Sequence, residues 1–516
     1  MDLPRAFHPS FASLPCVRWP ALAAVAGLFA GCAVGPNYRR PAIAAPPAFR
    51  EEPGWKAATP RDAALRGDWW TVYEDPVLNG LEAQVAAANA SLQVAEANYE
   101  QARQLARAEG ATLWPGLSLD GSADRVQGTS HGGLSSSTAA GASSIVTTSS
   151  SPVNAVSVAG AVSWTVDIWG QTRRELESDI AAAQSDAALV AATRLSLQST
   201  LAQDYIQIRA LDERKRLLDN AVIAYRRTLE ISQNKYRVGV VSRSDVVSAQ
   251  AQVDATRAQA VDVGVQRASL EHAVAVLVGK APTDLTISGR SELGLASPAI
   301  PGALPSELLE RRPDVAQAER NAAAANARIG VQEAAYFPTL TLSASGGFQG
   351  SRLAHLFELP NRVWSLGASA GEALFSAGST GDEVRAARAA WDSAAAQYRG
   401  TVLSAFQQVE DELAALRILG QEVGIDQAAV GEAADASRIA RNEYQAGTVD
   451  YTTVVTAEEA ELADREALLQ VRESRLVASV VLIQALGGGW AAADLPGPRQ
   501  VLAHRSQSPS TVAAPR

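Results

Sequence analysis

Apolar residues recur with two different periods along this chain of 516 residues, and each period predicts a different kind of element. One apolar seam steps alternately by four and three residues, which is typical of a coiled coil, at Leu81, Val85, Ala88, Leu92, Ala95, Tyr99 and Ala102. A second seam recurs at every seventh residue, at Val455, Leu462, Leu469, Leu476 and Ile483. Residues 171–235 contain neither Pro nor Gly, and a helix of that length would measure roughly 100 Å. These patterns predict long, paired helices.

Four other segments alternate apolar and polar residues with period two, as a β-strand with one apolar and one watery face would. Their apolar positions are Leu117, Leu119 and Ala123; Val156, Val158, Val162, Trp164 and Val166; Leu340, Leu342, Ala344 and Phe348; and Trp364, Leu366, Ala368 and Ala370. Taken singly, each segment also fits an antiparallel sheet that is half buried in a soluble domain. Four such strands, in two hairpins between very long helices, favour a membrane β-barrel.

Four strands leave two edges whose backbone groups have no partner, and an open edge is not tolerated in hydrocarbon. The chain must therefore share its barrel with further copies. Two copies would give eight strands, whose lumen is filled by side chains, whereas three would give twelve strands and an open lumen.

The two halves of the chain resemble each other. Residues 234–239 return at 442–447, an offset of 208 that also relates Gly279 to Gly487. Further upstream, Trp114-Pro115 returns as Phe337-Pro338 at an offset of 223. An insertion in the Ser/Thr/Gly tract between Asp124 and Pro152 would account for the difference between the two offsets. This pattern predicts an internal duplication.

The composition excludes several classes of function. The net charge is −10 without a basic block, which argues against a nucleic-acid partner. The five histidines lack metal-ligand spacing, and Val278-Gly279-Lys280 lacks the rest of a phosphate loop. The neighbouring Glu458 and Glu459 fit a solvated helix face better than acid/base chemistry. We therefore expect no enzyme activity, no cofactor and no metal.

The N-terminus predicts a secreted lipoprotein. Arg5 and Arg18 precede an apolar run from residue 21 to residue 30, which suits a signal peptide that ends before Cys32. Small residues just before Cys32 resemble the bacterial lipobox, so Cys32 is the predicted lipidation site. The alternative is an ordinary secretory signal with an idle cysteine. Ala33 is not the Asp that would retain a lipoprotein in the inner membrane, so the signal favours the outer membrane.

Several motifs together resemble the outer-membrane efflux channels of the TolC/OprM-like family. Residues 304–315, LPSELLERRPDV, followed by Ala318-Glu319, are similar to a hallmark of that family. Residues 31–38, GCAVGPNY, resemble the lipidated start of its NodT-type branch, and residues 447–457 and 486–490 are similar as well. The resemblance covers residues 31–490.

This resemblance implies an α+β membrane protein that forms a homotrimer in the outer membrane. Four strands per protomer would build a shared transmembrane β-barrel, continuous with a long periplasmic α-helical barrel and a mixed equatorial collar. We expect collar segments at 33–75, about 280–306, near 418–430 and after residue 486. The implied partners are outer-membrane lipid, a periplasmic adaptor protein and an inner-membrane transporter, most simply of the RND type.

These features divide the chain into six segments. Residues 1–31 are a signal peptide, and 32–75 are the lipidated N-terminus and first collar segment. Residues 76–279 form the first repeat, with a β-hairpin at about 116–167, and 280–306 form a collar linker. Residues 307–486 form the second repeat, with a β-hairpin at about 338–375, and 487–516 are a last collar segment and a disordered tail.

The candidate functional residues lie at element boundaries. Gly239 and Gly447 are predicted to form the turns at the helix tips, and Pro115 and Pro338 to mark helix-to-strand junctions. The family narrows the periplasmic end with side chains that follow the second turn, often aspartates, and here those positions hold threonine. The candidate aperture residues are Thr452, Thr453 and Thr456, with Ser244, Asp245 and Ser248 at the matching places of the first repeat.

The sequence thus favours a passive outer-membrane exit duct for small molecules such as drugs or other toxic compounds. A duct for secreted proteins is the alternative within the class. A lipid-anchored periplasmic coiled-coil binding protein is the alternative from another class.

Lipidation generates the first prediction. Cys32→Ser should abolish acyl labelling of the mature protein, because the thiol that carries the lipid is lost. Mass spectrometry of the mature wild-type N-terminus checks this, and an unmodified Cys32 would contradict it.

Overall fold

The computed structural model describes residues 33–43, 49–51, 67–127, 152–290, 292–296, 298 and 310–503. The signal peptide, Cys32, most of the 304–315 motif and the tail after residue 503 lie outside these ranges. The chain divides into two compact units. The sheet unit consists of Met1–Tyr38, Ala108–Ser178 and Ala325–Ala389, and the helical unit of Arg39–Arg107, Asp179–Ala324 and Ala390–Arg516.

Long helices and four strands make up most of the described chain. The helices are α1 (Pro76–Ala88), α2 (Ala90–Thr112), α3 (Gln171–Arg237), α4 (Arg243–Leu277), α5 (Pro313–Ala334), α6 (Ser379–Ala446), α7 (Tyr451–Ala485) and α8 (Pro498–Leu502). The strands are β1 (Gly116–Val126), β2 (Val153–Val166), β3 (Thr339–Gly350) and β4 (Arg362–Gly371). The Pro-free and Gly-free stretch is indeed one helix, the 67-residue α3. Within the described ranges, no helix is both long and apolar enough to cross a membrane.

The four strands form one antiparallel sheet in the order β1-β2-β3-β4. Its register aligns Leu117 with Val162, Val162 with Ala344, and Ala344 with Leu366, so the apolar residues share one face. On the other face, hydroxyls meet across strands, at 2.8 Å between the Oγ atoms of Ser345 and Ser365. The two faces are those that the period-two pattern predicted. The outer edges of β1 and β4 have no partner strand among the described residues.

The first seam runs through two helices, α1 and α2. Asn89 interrupts it between α1 and α2 with an extended ψ of 125°. The Asn89 side chain accepts a hydrogen bond from the Leu92 amide at 3.1 Å and donates one to the Leu277 carbonyl at 2.8 Å. Asn89 therefore starts α2 while it satisfies the end of α4.

The second half places Arg312 at the position equivalent to Asn89, immediately before α5, at the same offset that relates Pro338 to Pro115. Arg312 Nη1 donates to the carbonyl of Ala485, the last residue of α7, at 3.1 Å. The glycines beyond these two helix ends are packed tightly. A Cβ added to Gly279 would lie 2.4 Å from the Ala88 carbonyl oxygen, and one added to Gly487 would lie 2.0 Å from that of Arg311. Both glycines also have positive φ, so only glycine fits.

Helix bounds follow the offset seen in the sequence. The 67-residue α3 and the 68-residue α6 begin at Gln171 and Ser379, which the offset of 208 relates. The 35-residue α4 and α7 begin at Arg243 and Tyr451, which the same offset relates. Residues 418–430, expected to supply a piece of the collar, are an uninterrupted part of α6.

Arg174 fixes the start of the described chain within the sheet unit. Its guanidinium donates to the carbonyls of Val34 and Gly35 and to Asn37 Oδ1, at 3.1, 3.2 and 2.9 Å. A Cβ on Gly170 would lie 2.8 Å from the Ala33 Cα atom. The segment that follows Cys32 is thus held against the end of β2 and the start of α3.

The main hydrophobic core of the helical unit surrounds Trp69, Tyr73, Tyr205 and Tyr398. The Tyr73 hydroxyl lies 2.8 Å from Ser479 Oγ.

The start of the predicted collar linker is tied to the helical unit by three charged groups that are buried or half buried. Arg209 donates to the Ser288 carbonyl at 2.7 Å, and Arg267 donates to the Ile287 carbonyl at 2.6 Å. Asp212 accepts from both arginines.

Glu82, on α1, is fully buried in the helical unit. Neither of its carboxyl oxygens has a hydrogen-bond partner among the described residues. Burial raises the pKa of Glu82 to about 9, because a charge in an apolar site is poorly solvated. Glu82 is therefore protonated at neutral pH.

Candidate functional site at the helix tips

The two helix tips of the helical unit have the same backbone geometry. After α3, the Gly239 amide donates to the Tyr236 carbonyl and the Val240 amide to the Lys235 carbonyl, both at 2.9 Å. After α6, the Gly447 and Thr448 amides repeat these bonds at the equivalent positions, at 3.1 and 3.0 Å. Gly239 has a φ of 76° and Gly447 a φ of 82°, so each predicted turn glycine ends its helix in the left-handed conformation.

The helices that follow the turns are capped by an acid and a hydroxyl in opposite order. Ser242 caps α4: its Oγ accepts from the Asp245 amide, while the Asp245 carboxylate accepts from the Ser242 amide, both at 3.2 Å. Asp450 caps α7 and accepts from the amide and the hydroxyl of Thr453, at 3.0 and 2.8 Å. The Thr453 hydrogen bonds lower the pKa of Asp450. Each repeat thus supplies one carboxylate at the start of its second helix.

The candidate aperture residues differ in their surroundings. Thr452 and Thr456 are exposed, and the Thr456 hydroxyl donates to the Thr452 carbonyl at 2.9 Å, one helical turn away. They share a helix face, as predicted. Thr453 and Asp245 take part in the caps, and Ser244 and Ser248 are exposed. Whether any of them lines an aperture stays a prediction.

Glu458 corrects an interpretation made from the sequence. Glu459 is exposed, as a solvated helix face requires, but the Glu458 side chain is only 4% exposed. Thr228 Oγ1 donates to Glu458 Oε1 at 3.1 Å, and Arg441 Nε donates to the same oxygen at 3.2 Å. Glu458 therefore links α7 to both α3 and α6. The sequence contains an indication of this ion pair. At the positions of Arg441 and Glu458, the first repeat has the uncharged Gln233 and Gln250, so the cation and the anion occur together in one repeat and are absent together from the other.

A second link between the repeats lies closer to the turns. Tyr444 is buried, its hydroxyl lies 2.9 Å from Ser232 Oγ, and its ring centroid is 6.0 Å from that of Tyr451. The Lys235 ammonium lies 4.1 Å from the centroid of the Tyr444 ring and donates to the Tyr444 carbonyl. Such a contact combines a hydrogen bond with a cation–π interaction. The tip of α3 is thereby fastened to the tip of α6.

The site offers positioned hydroxyls and negative charge. Among the described residues, no group of three or more His, Cys, Asp or Glu side chains could hold a metal ion. The tip carboxylates and threonines are suited to line a passage and to contact a partner.

Comparisons with known proteins identify a family and several relatives of this chain. The family model "Outer membrane efflux protein" matches residues 81–280 and 304–488. The probable efflux pump outer membrane protein TtgC of Pseudomonas putida is 28% identical over 473 residues, which cover 91% of this chain and 95% of that protein. The pyoverdine export outer membrane protein OpmQ of Pseudomonas aeruginosa is 30% identical over 467 residues, which cover 90% and 95%.

A solved structure is similar over nearly the same range. The outer-membrane channel OprN superposes with a TM-score of 0.80 at 29% identity, covering 89% of this chain and 100% of that chain.

Burial of Glu458 generates a prediction about pH. Burial raises the pKa of Glu458 above its ordinary value of 4.5, against the opposing effects of Arg441 and Thr228. A carboxyl group whose pKa is raised in the folded state contributes its full stability below about pH 4.5, where it is protonated in both the folded and the unfolded state. This contribution is lost as the pH rises through the pKa of the folded state. Glu458→Gln stays neutral, so its melting temperature relative to wild type should rise between about pH 4.5 and pH 7.

The adjacent exposed residue supplies the matched control for this comparison. Glu459→Gln should follow the wild-type pH profile. Equal profiles for both variants, recorded by thermal denaturation of the detergent-solubilised protein, would contradict the assignment to Glu458.

Proposed function

The chain belongs to the outer membrane efflux protein family, and we propose that three copies of it form the exit duct of a tripartite efflux pump. The duct would be passive. Energy would come from an inner-membrane transporter, most simply of the RND type, joined to the duct by a periplasmic adaptor protein. The cargo class is small molecules such as drugs or other toxic compounds.

One observation carries this proposal most directly: within the described ranges, the sheet has an apolar face and two edges without a partner strand. The register aligns apolar residues across the strands, as in Trp164 with Leu342 and Leu342 with Ala368. A face of this kind, about ten residues high, matches the hydrocarbon layer of a membrane. The open edges of β1 and β4 would pair with those of neighbouring copies, so that three copies close a twelve-stranded barrel.

The helices support an internal duplication and, in the proposed trimer, a helical barrel. Paired helices begin at a constant offset and have nearly equal lengths, 67 and 68 residues for α3 and α6. Three copies would place six such repeats around one axis. The collar would be formed by the N-terminal segment, the linker held by Arg209 and Arg267, and the segment after α7.

Lipid attachment at Cys32 fits the same arrangement. Arg174 holds residues 34–37, and Ala33 packs against Gly170, just beyond the end of β2. A lipid on the residue before Ala33 would therefore start close to an end of the strands. Such an anchor would reach the same membrane as the barrel.

The relatives support the duct without naming its cargo here. The printed names of TtgC and OpmQ concern an efflux pump and pyoverdine export. Only the second of these names specifies a cargo. We therefore assign a cargo class and no particular compound.

The tips would close the periplasmic end of the duct. Thr452 and Thr456 share an exposed face of α7, and three copies would form two stacked rings near the axis. Asp245 would add a ring of charge from the first repeat. Rings of small or charged side chains are how pores narrow and select.

The sheet generates a prediction about membrane assembly. Leu342→Arg places a charge on the apolar face and should destabilise the inserted trimer by about 2–4 kcal/mol near the midplane. Heat-modifiable trimer bands of outer-membrane fractions, resolved in detergent, measure the loss.

The neighbouring residue is the matched control. Ser343→Arg adds the same side chain to the opposite face, beside Ser163 and Gly367, and should assemble like wild type. Equal assembly of the two variants would contradict the membrane placement of the apolar face.

The threonine rings generate a prediction about conductance. Replacing Thr452 and Thr456 together with alanine should raise single-channel conductance in planar bilayers, because the two narrowest rings would lose their hydroxyl and methyl groups. Asp245→Asn, measured in parallel, should weaken cation preference. Unchanged conductance and unchanged ion preference would place the constriction elsewhere.

A further inference from the structure

A cavity of about 500 Å³ lies within the helical unit, between α3, α6, α7 and the predicted collar linker. Its wall contains three guanidinium groups, those of Arg216 on α3 and of Arg472 and Arg475 on α7. Two carboxylates, Glu213 and Glu292, line it as well, so its wall carries three cations against two anions. Cavities of this volume commonly hold small ligands.

The arginines of the cavity have unused hydrogen-bond donors. Among the described residues, neither Arg472 nor Arg475 forms an ion pair or a side-chain hydrogen bond. Arg216 Nη2 lies 3.4 Å from Glu213 Oε1, which leaves Arg216 Nε buried and without a hydrogen-bond partner. A buried donor without an acceptor is costly, so an anion that accepted from it would stabilise the fold.

The nearby carboxylates do not neutralise the two arginines of α7. Glu213 accepts from Arg216 and from the Leu293 amide, the latter at 2.8 Å. Glu292 is exposed and takes part in no ion pair within the described ranges. Glu473 lies between Arg472 and Arg475 in the sequence but lines a different cavity.

The first repeat shows how an arginine at this position can be neutralised within the chain. Arg267 is the equivalent of Arg475 at the offset of 208. Its guanidinium donates to Asp212 at 2.6 Å, to Glu271 at 2.8 Å and to the Ile287 carbonyl at 2.6 Å. Two carboxylates and a carbonyl thus surround the arginine of the first repeat.

The second repeat lacks both of these carboxylates. Gly420 stands at the position of Asp212, and Ser479 stands at the position of Glu271. Arg475 therefore keeps the positive charge of its equivalent without the anions that balance it there. The same arginine position is filled from within the chain in one repeat and is open to an external anion in the other.

We propose that this cavity binds a phosphate group through Arg216, Arg472 and Arg475. A guanidinium donates paired hydrogen bonds to an oxyanion. A phosphate has more acceptor oxygens and more negative charge than a carboxylate, so it can accept from three guanidiniums at once. The cavity has room for the organic part of a phosphate ester beside the phosphate itself. This site is additional to the proposed duct and does not depend on it.

Calorimetric titration of the purified full-length protein in neutral detergent tests the proposal. The probes are inorganic phosphate and glycerol 3-phosphate at constant ionic strength, with sodium chloride as the reference titrant. We expect saturable binding of at least one phosphate and none of chloride. Tighter binding of glycerol 3-phosphate supports a site for a phosphate ester, and equal or tighter binding of inorganic phosphate supports a site for the free ion. No saturable binding of either probe overturns the proposal.

Substitutions on α7 locate the bound phosphate. Arg472→Gln and Arg475→Gln should each weaken binding about tenfold or more, because each removes charged hydrogen-bond donors. Arg465→Gln is the matched control, since Arg465 lies on the same helix but pairs with Glu461 at 2.6 Å. This control should bind phosphate like wild type. Equal affinities of all three variants would place the phosphate elsewhere and overturn the site.

Gly420→Asp tests the comparison between the repeats. No atom lies within 4 Å of a Cβ added at Gly420, and Val423, about one helical turn away, lines the cavity. The new carboxylate should pair with Arg475 as Asp212 pairs with Arg267, and should thereby abolish phosphate binding and raise the melting temperature of the phosphate-free protein.

Gly431→Asp adds the same side chain to α6 at an exposed position, where a Cβ is also unhindered, and should leave phosphate binding unchanged. Heat-modifiable trimer bands, recorded for every variant, separate loss of binding from loss of assembly. Phosphate binding by an assembled Gly420→Asp variant at wild-type affinity would contradict the proposed site.

Discussion

The two edges of the four-stranded sheet, which lack partner strands in the described part of the chain, constrain the rest of the fold. Backbone amide and carbonyl groups at the edges of β1 and β4 need partners, and an apolar face cannot remain in water. One chain cannot satisfy both demands, so the arrangement we propose closes the sheet with other copies. In the proposed arrangement, the symmetry of the sheet would extend to the helices of each copy. Paired helices of nearly equal length are what such a ring needs.

Equivalent helices are held at equivalent positions in the two repeats, although the residues that hold them differ. Asn89 and Arg312 are chemically different, yet each donates a hydrogen bond to the last carbonyl of a 35-residue helix. What is retained is an N–H donor at a helix end that lacks intrahelical partners. The tight glycines beside them, Gly279 and Gly487, are retained as glycine because a carbonyl oxygen occupies the space of a Cβ.

Local patterns predicted the elements, and tertiary contacts decided the exceptions. Period-two alternation gave the strand faces correctly, since side-chain direction alternates along any strand. Apolar spacing continues through Asn89 and gives no sign of the break there, because the Asn89 side chain is held by the Leu277 carbonyl, which is distant in sequence. Glu458 was wrongly placed in solvent because its burial depends on α3. The turn glycines were found from the sequence, but nothing in one chain reveals which exposed threonine faces an axis.

The order of the strands in the sheet has a consequence for folding kinetics. The central ladder joins Val166 of β2 to Leu340 of β3, and α3, α4 and α5 lie between them, so three helices must be synthesised before that pairing can begin. Contacts between such distant residues form slowly, because closing a long loop costs entropy before the contacts compensate for it. Until then β1 and β2 form an isolated two-stranded ribbon, which is marginally stable in water. The chain therefore passes through a stage at which its helices can form while its apolar hairpins are prone to aggregate, and export must shield them during that delay.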